Sequence, residues 1–315
     1  MKIATVTLNP AIDQTVSVEN FQAGAVNRSR AMRFDAGGKG VNVASFLADY
    51  GLAVVVTGFL GEENASLFER HFARKKIEDC FIRVPGETRV NIKITDEHNQ
   101  ETTDLNTPGQ APGSYAMDRL VQQLETLSET CDWIVLSGNL PPGIAVDVYA
   151  QLIEIGKRRG RHVVLDTSGE ALHAGIQAGP QIIKPNISEL SQVTGRELKE
   201  LNEVQAAATS LLSDKLQLVV VSMGADGALF LKKSESILAM PPQVSLKSTV
   251  GAGDAMVAGL VAGLTSDLPL AECAKLATAF SMCAITQLER DLPSSTQLEA
   301  YQRQVTVTPL ETQQT

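Results

Sequence analysis

Apolar residues recur along this chain in two rhythms, and each predicts a different kind of layer. Residues 2–8 (KIATVTL), 53–59, 133–136, 163–166, 181–183 and 218–221 are short, nearly continuous apolar runs. A strand reads that way when both of its faces are covered. Between these runs, residues 63–76, 115–128, 147–159, 170–178 and 203–212 carry apolar side chains at helical spacing. Residues 270–288 form a longer helical stretch rich in small residues such as Ala274, Ala277 and Ala284. Strands and helices alternating at this length build a mainly parallel sheet with helices on both faces. The second rhythm is strict alternation. It runs through 14–18, 81–84, 89–95 (RVNIKIT) and 101–105, accompanied by a polar stretch with three arginines at 27–35. These segments predict short strands wet on one face, forming a small sheet that covers a site on the larger body. No repeat, linker or low-complexity stretch divides the chain. Residues 1–315 are therefore expected to form a single domain with lid segments at about 14–36 and 80–105.

Two glycine-rich loops feed helices. The first is Ala36-Gly37-Gly38-Lys39-Gly40, which leads into an apolar-faced helix ending at Gly51. The second is 249–259, TVGAGDAMVAG. Gly251 and Gly253 permit tight backbone geometry and close approach of a ligand. The unpaired N–H groups and positive dipole end of the following helix suit an anion. Asp254 stands at that helix start. A carboxylate is ill-suited to bind a second anion, so one reading makes it the base that takes a proton from a hydroxyl beside the anion. An anion cradle with a base is the minimum for phosphoryl transfer to an alcohol. The other reading makes Asp254 a helix cap and nothing more. In the first loop Lys39 would sit near any bound anion, and Asn42 in the first helical turn could donate to a hydroxyl. Neither G-x-x-x-x-G-K-[ST] nor G-x-G-x-x-G spacing is present.

Other candidates lie where strands end. Asp13 follows the Asn9-Pro10 stop of the first run, at the edge where open α/β sheets gather ligands, and suits either sugar hydroxyls or a simple turn. Lys184-Pro-Asn-Ile-Ser-Glu-Leu190 follows the 181–183 run. If a helix starts at Asn186, then Asn186 and Glu189 stand one turn apart, able to meet a hard cation or its water, or to close a capping box. The glycines of Ser222-Met-Gly-Ala-Asp-Gly227 suggest a hairpin whose backbone is open to a flat ligand. Arg89 opens the central alternating run, either as a phosphate contact or as a solvated strand arginine.

Composition narrows the partners. The chain is 43% hydrophobic and 20% charged, with a net charge of −9 and an isoelectric point near 5.1. That field argues against nucleic acid, so any phosphate site must be made locally. No stretch approaches the ~20 apolar residues of a bilayer span, and residues 1–8 lack the apolar core of a secretory signal. A cytoplasmic protein with no membrane partner is expected. Cys80, Cys131, Cys273 and Cys283 form no C-x-x-C pair, and His71, His98, His162 and His173 show no ligand spacing.

Taken in order, VTLNPAID (6–13), GGKGVNVA (37–44), GFLG (58–61), TRVNIKI (88–94), SGNLPPG (137–143), KPNISEL (184–190), SMGADGA (222–228) and STVGAGDAMVAG (248–259) resemble the ribokinase-like, PfkB-type carbohydrate kinases. The resemblance covers nearly the whole chain. It implies a three-layer α/β fold with a small β lid, ATP as donor, Mg2+ as cofactor and a homodimer formed through the lid. It makes Asp254 the catalytic base and the amides of Gly251, Ala252 and Gly253 the anion hole. Asp13, Gly38 and Asn42 would hold sugar hydroxyls, and Lys39 and Arg89, with Arg28 and Ser137, the phosphate the substrate already carries. Lys184, Ser222, Gly224 and Gly227 would contact the nucleotide, and Asn186 and Glu189 would hold magnesium through water. The chain departs from the family pattern at 287–293 (QLERDLP), where glycine-rich letters near the adenine are expected. Within the family, overall likeness favours the kinases of fructose 1-phosphate, with tagatose 6-phosphate the alternative acceptor. The alternative of a different class is a phosphosugar sensor that kept the fold and lost the chemistry.

Overall fold

The computed structural model describes residues 1–244, 251–287 and 291–311. The chain opens with β1 (Lys2–Thr7), β2 (Ala11–Val18), β3 (Ser29–Gly37), α1 (Lys39–Asp49), β4 (Ala53–Gly61), α2 (Ser66–Lys75), β5 (Glu78–Asp79), β6 (Ile82–Val84), β7 (Val90–Asp96) and β8 (Glu101–Leu105). Regular alternation follows with α3 (Ser114–Thr130), β9 (Trp133–Ser137), α4 (Val148–Arg158), β10 (His162–Asp166), α5 (Gly169–Ala178), β11 (Ile182–Ile183), α6 (Ile187–Thr194), α7 (Leu201–Thr209) and β12 (Leu218–Ser222). The last elements are β13 (Ala228–Lys232), β14 (Glu235–Met240), α8 (Ala252–Thr265), α9 (Leu270–Thr286), α10 (Ser295–Gln304) and β15 (Thr306–Leu310).

The large sheet runs β15-β14-β13-β12-β11-β10-β9-β1-β4-β5, with β6 also paired to β4. From β5 to β12 the pairs are parallel, as the apolar runs predict, and β13 to β15 add an antiparallel edge. Both faces are covered. Trp133 and Val135 of β9 join one buried cluster with Val41 of α1, Phe72 of α2, Val257 of α8 and Phe280 of α9. Ile134 and Leu136 join another with Leu124 of α3, Leu152 of α4 and Leu172 of α5. Successive side chains of a strand point to opposite faces, so a strand with helices on both sides must be apolar throughout. The small residues of α8 and α9 answer a steric demand. A Cβ on Gly259 would lie 2.7 Å from the Cα of Ala277, so the two helices pack backbone to backbone.

The smaller sheet has the order β3-β2-β7-β8, with β2 and β7 parallel. Its register sorts the side chains into two faces. Phe34, Gln14, Ile92 and Leu105 form one cross-strand row and Met32, Val16, Ile94 and Thr103 the next. The opposite face carries Asp35, Asp13 and Asn91 in one row and Arg33, Thr15, Lys93 and Asp104 in the other.

Three expectations change. Residues 81–84 alternate but do not enter the small sheet, because Ile82 and Val84 are buried in the cluster under α3 and β6 pairs in parallel with the end of β4. The helix expected over 63–76 starts only at Ser66. Glu63 donates its backbone N–H to Gly86, and the Asn64 side chain bonds both the N–H and the carbonyl of Thr88, so these residues hold the loop that leads into β7. Strand β14 and helix α10 have no counterpart in the pattern reading. The residues after 311 and much of the divergent segment, 288–290, lie outside the described residues, as do Thr249 and Val250 of the second glycine-rich loop.

Candidate active site

Loops at the carboxyl ends of β1, β9, β10, β11 and β12 meet the polar face of the small sheet around a cavity of about 490 Å³, a size suited to a small ligand. A second hollow of about 330 Å³ opens at the amino-terminal edge of the large sheet beside Trp133, Arg161 and His162. None of the predicted site residues lies there.

Helix α8 begins at one end of the larger cavity. Gly251 occupies its cap position with φ of 86°, a left-handed conformation that favours glycine. No side chain caps the helix, so its first N–H groups are left for a ligand. This decides against the capping reading of Asp254. The Asp254 carboxylate is only 6% exposed, lines the cavity with Gly251 and Gly253, and accepts a 2.7 Å hydrogen bond from the Asn42 side chain. Burial above all raises its pKa. Lys39, Asn42 and Lys184 oppose the shift and Asp166 adds to it.

Asp166, at the end of β10, was not among the residues singled out from sequence. Its side chain is wholly buried, and its Oδ1 lies 3.3 Å from Lys39 Nζ and 3.4 Å from Lys184 Nζ. Both lysines line the cavity. Lys184 is 5% exposed, and its Nζ would lie 3.3 Å from a Cβ placed on Gly253. Asp166 is the main cause of a raised Lys39 pKa, and Asp254 and Glu189 add to it. The pKa of Asp166 is lowered. Its burial works against ionisation and is outweighed by the two lysines. Lys39 is thus grouped with Asp254 and Lys184 rather than with Arg89. The signal for Asp166 in the sequence is weak: an acidic residue ending an apolar strand at the ligand-gathering edge.

The other end of the cavity belongs to the small sheet. Asp13 accepts from Asn91 at 3.1 Å. Arg89 is held mainly by backbone carbonyls, donating to Pro10 at 3.2 Å, Thr107 at 2.7 Å and Asn9 at 3.0 Å, and to the Asn91 side chain at 3.2 Å. Its pKa is lowered by burial, against the pull of Asp13. Lys93 lines the same wall and pairs with Asp104 at 3.5 Å. Asn91 and Lys93 follow Arg89 at two-residue spacing, so strand periodicity could have found them.

Gly38 lines the cavity at the start of α1. Ser137 does not, being fully buried, and Asn139 reaches the wall instead because the chain leaves β9 at Gly138. Gly138 is fixed there by hydrogen bonds from Tyr149 and Thr167 to its carbonyl. Arg28 is exposed in the loop before β3 and does not line the cavity. Of the residues expected to face the nucleotide or its magnesium, Ser222, Lys184, Asn186 and Glu189 line the cavity, whereas Gly224 and Gly227 do not. Gly227 lies directly against the carbonyl of Ala239, which leaves no room for a side chain. Asn186 and Glu189 do close a capping box, with Asn186 N–H donating to Glu189 at 2.9 Å and Glu189 N–H to Asn186 at 2.8 Å. Among the described residues, no three His, Cys, Asp or Glu side chains converge as a metal cluster. None of their helices is long and apolar enough to cross a membrane.

An uncapped helix start beside a buried carboxylate, roofed by a polar sheet, is the arrangement that a phosphoryl-transferring class requires. The chain belongs to the pfkB family of carbohydrate kinases, whose model matches residues 6–297. It is 50% identical over 311 residues to the 1-phosphofructokinase of Rhodobacter capsulatus, with 98% of each chain covered. It is 46% identical over 290 residues to the 1-phosphofructokinase of Xanthomonas campestris pv. campestris, covering 90% of this chain and 91% of that one. Phosphofructokinase-2 from Escherichia coli, solved in complex with fructose-6-phosphate, superposes with a TM-score of 0.89 at 29% identity over 96% of this chain and 98% of that chain. The layered body with its small sheet is the ribokinase-like fold, and the enzyme is a sugar-phosphate kinase.

Proposed function

We propose that this chain transfers the terminal phosphoryl group of ATP to the 6-hydroxyl of fructose 1-phosphate, giving fructose 1,6-bisphosphate and ADP. The observation that carries the chemistry is Asp254, a buried carboxylate held by Asn42 beside an uncapped helix start. Its raised pKa suits it to take the proton of the attacking hydroxyl. The amides of Gly251, Ala252 and Gly253 and the ammonium groups of Lys39 and Lys184 neutralise charge on the transferred phosphoryl. Asp13, Asn91, Gly38 and Asn42 read the sugar hydroxyls. Arg89, with one N–H left over from its four hydrogen bonds, and Lys93 meet the 1-phosphate. The Ser222 loop, with Gly224 and Gly227, faces the nucleotide.

Glu189 and Asn186 each use one oxygen in the capping box, so the pair suits a water of hydrated magnesium better than direct ligation. Magnesium, when bound, supplies positive charge to the phosphate oxygens of ATP. Residues 1–315 act as one domain, and the small sheet serves as a lid that excludes water. Its outward face exposes Met32 at 52%, Phe34 at 49% and Leu105 at 52%, an apolar patch that we read as the contact of a homodimer. The four free cysteines suit a reducing, cytoplasmic compartment.

The choice of fructose 1-phosphate is supported by the two 1-phosphofructokinase relatives and by the cations Arg89 and Lys93 that the small sheet and its approach bring to the cavity wall. The test is ADP release with ATP, magnesium and a panel of fructose 1-phosphate, tagatose 6-phosphate and fructose 6-phosphate. The highest kcat/KM is expected for fructose 1-phosphate. A higher value for either competitor overturns the acceptor, and no turnover with any of them overturns the reaction.

A further inference from the structure

We propose that Asp166 is a positioning residue for phosphoryl transfer, one buried carboxylate oxygen holding the ammonium groups of Lys39 and Lys184 together beside the start of α8. The inference rests on the kinase reading above and assigns a role to a residue that does not itself reach the cavity wall.

Three chain segments meet at this carboxylate. Lys39 comes from the first residue of α1, Lys184 from the loop after β11, and Asp166 from the last residue of β10. Asp166 is the rigid member. Its strand is paired on both sides, with Asp166 in register with Ser137, and its carbonyl accepts the N–H of Gly138 at 3.0 Å. The lysine stems are long and flexible, and among the described residues Asp166 is the only carboxylate within 4.0 Å of either ammonium. Two ammonium groups brought this close would also repel one another, and without the carboxylate between them they would swing apart.

The geometry differs from that of a purely structural ion pair. A buried carboxylate placed for stability is normally satisfied at both oxygens. Here Oδ1 takes both lysines, and Oδ2 has no hydrogen-bond partner among the described residues. The separations of 3.3 and 3.4 Å exceed the roughly 2.7–2.9 Å of a tight charge-assisted bond. Each ammonium, with three donors, therefore keeps N–H groups for phosphate oxygens while Asp166 sets its position. The consequence is a division of labour in which Asp166 governs the rate of transfer and leaves capture of the sugar phosphate to the residues of the small sheet.

The test compares Asp166→Asn, Lys184→Met and the double variant with the full-length wild type, using fructose 1-phosphate, ATP and magnesium. Asn keeps the shape and one acceptor but removes the charge. Misplacing reacting groups by about 1 Å can cost ~10²-fold, so kcat of folded Asp166→Asn should fall by about that factor. Its KM for fructose 1-phosphate should change by no more than about threefold, because ground-state binding is untouched. If Asp166 acts through the lysines, only its contact with Lys39 remains to be lost in the Lys184→Met background, so the double variant should lose clearly less than the product of the two single losses. Wild-type kcat in folded Asp166→Asn, or losses that multiply in the double variant, would overturn the inference. A lowered Tm with unchanged kcat per folded molecule would also overturn it, as a structural role. Should Asp166→Asn not accumulate, the charge-balanced double variant against Lys184→Met is the same comparison. An inactive wild type fails the kinase reading instead, so the two failures are distinct.

Discussion

The two ends of the cavity are built on different physical terms. At the α8 end, Asp254 and Lys184 are 6% and 5% exposed and Asp166 is buried beneath them, each tied to another charged or polar side chain from a distant part of the chain. At the small-sheet end, Arg89 and Lys93 are partly exposed, Arg89 is held by backbone carbonyls, and Lys93 has a single long ion pair. Electrostatic interactions are strong where water is excluded and weak where it is not. This contrast supports the proposed division, with transition-state charge handled at the buried end and a phosphate that does not react recognised at the more exposed one.

The largest test of this contrast is Asp254→Asn. We expect kcat to fall by at least ~10²-fold, as for loss of a general base, with ATP binding retained and Tm unchanged or raised, because a buried charge is removed. The pH dependence sharpens it. The folded pKa of Asp254 is raised above its unfolded value, so the folded state binds that proton more tightly. As pH falls through the raised value, activity is lost while this group adds stability. Asp166 runs the other way. Its folded pKa is lowered, so its contribution to stability is present above the ordinary carboxylate value of ~3.9 and is lost only as pH falls below it. The acid limb of kcat/KM should thus precede acid unfolding. An acid limb that coincides with unfolding followed by circular dichroism would contradict the assignment.

At the other end the expected effect is smaller. Lys93→Met should raise KM for fructose 1-phosphate about tenfold, the loss of one charge-assisted contact, with kcat changed little. Arg89→Ala would lower Tm as well, since its guanidinium ties Asn9, Pro10 and Thr107 together. Lys93 is therefore the cleaner probe. A kcat loss in Lys93→Met with KM intact would erase the difference between the two ends.

The smallest effect is expected outside the cavity. Phe34→Glu puts a charge on the outward face of the small sheet and should shift the protein from dimer to monomer in light scattering, while changing kcat by no more than about threefold, a surface-scale effect. A monomeric wild type, or a variant that stays dimeric, would remove the lid contact from the picture.

The local letters determined a good deal. Period-two and helical spacing marked most strands and helices, because each side chain's burial is imposed by its own element. The glycine pairs with Asp254 and Lys39 were legible because a ligand-binding helix start needs glycine and a nearby charge within a few residues. Segment 81–84 shows the limit. Its alternation is real, yet a strand's pattern does not name its partner, and buried Ile82 and Val84 took it to β4 instead of the small sheet. Ser137 and Asn139 show the same at finer scale, since which of two polar neighbours faces the cavity depends on how the chain turns at Gly138. Arg89 could be read as a phosphate ligand, but only the folded chain brings the carbonyls of Asn9, Pro10 and Thr107 around it. Asp166 lies furthest beyond the sequence. Its partners Lys39 and Lys184 come from separate segments, one of them 127 positions away, and the energy of a buried charge depends on distances and desolvation that no local pattern encodes.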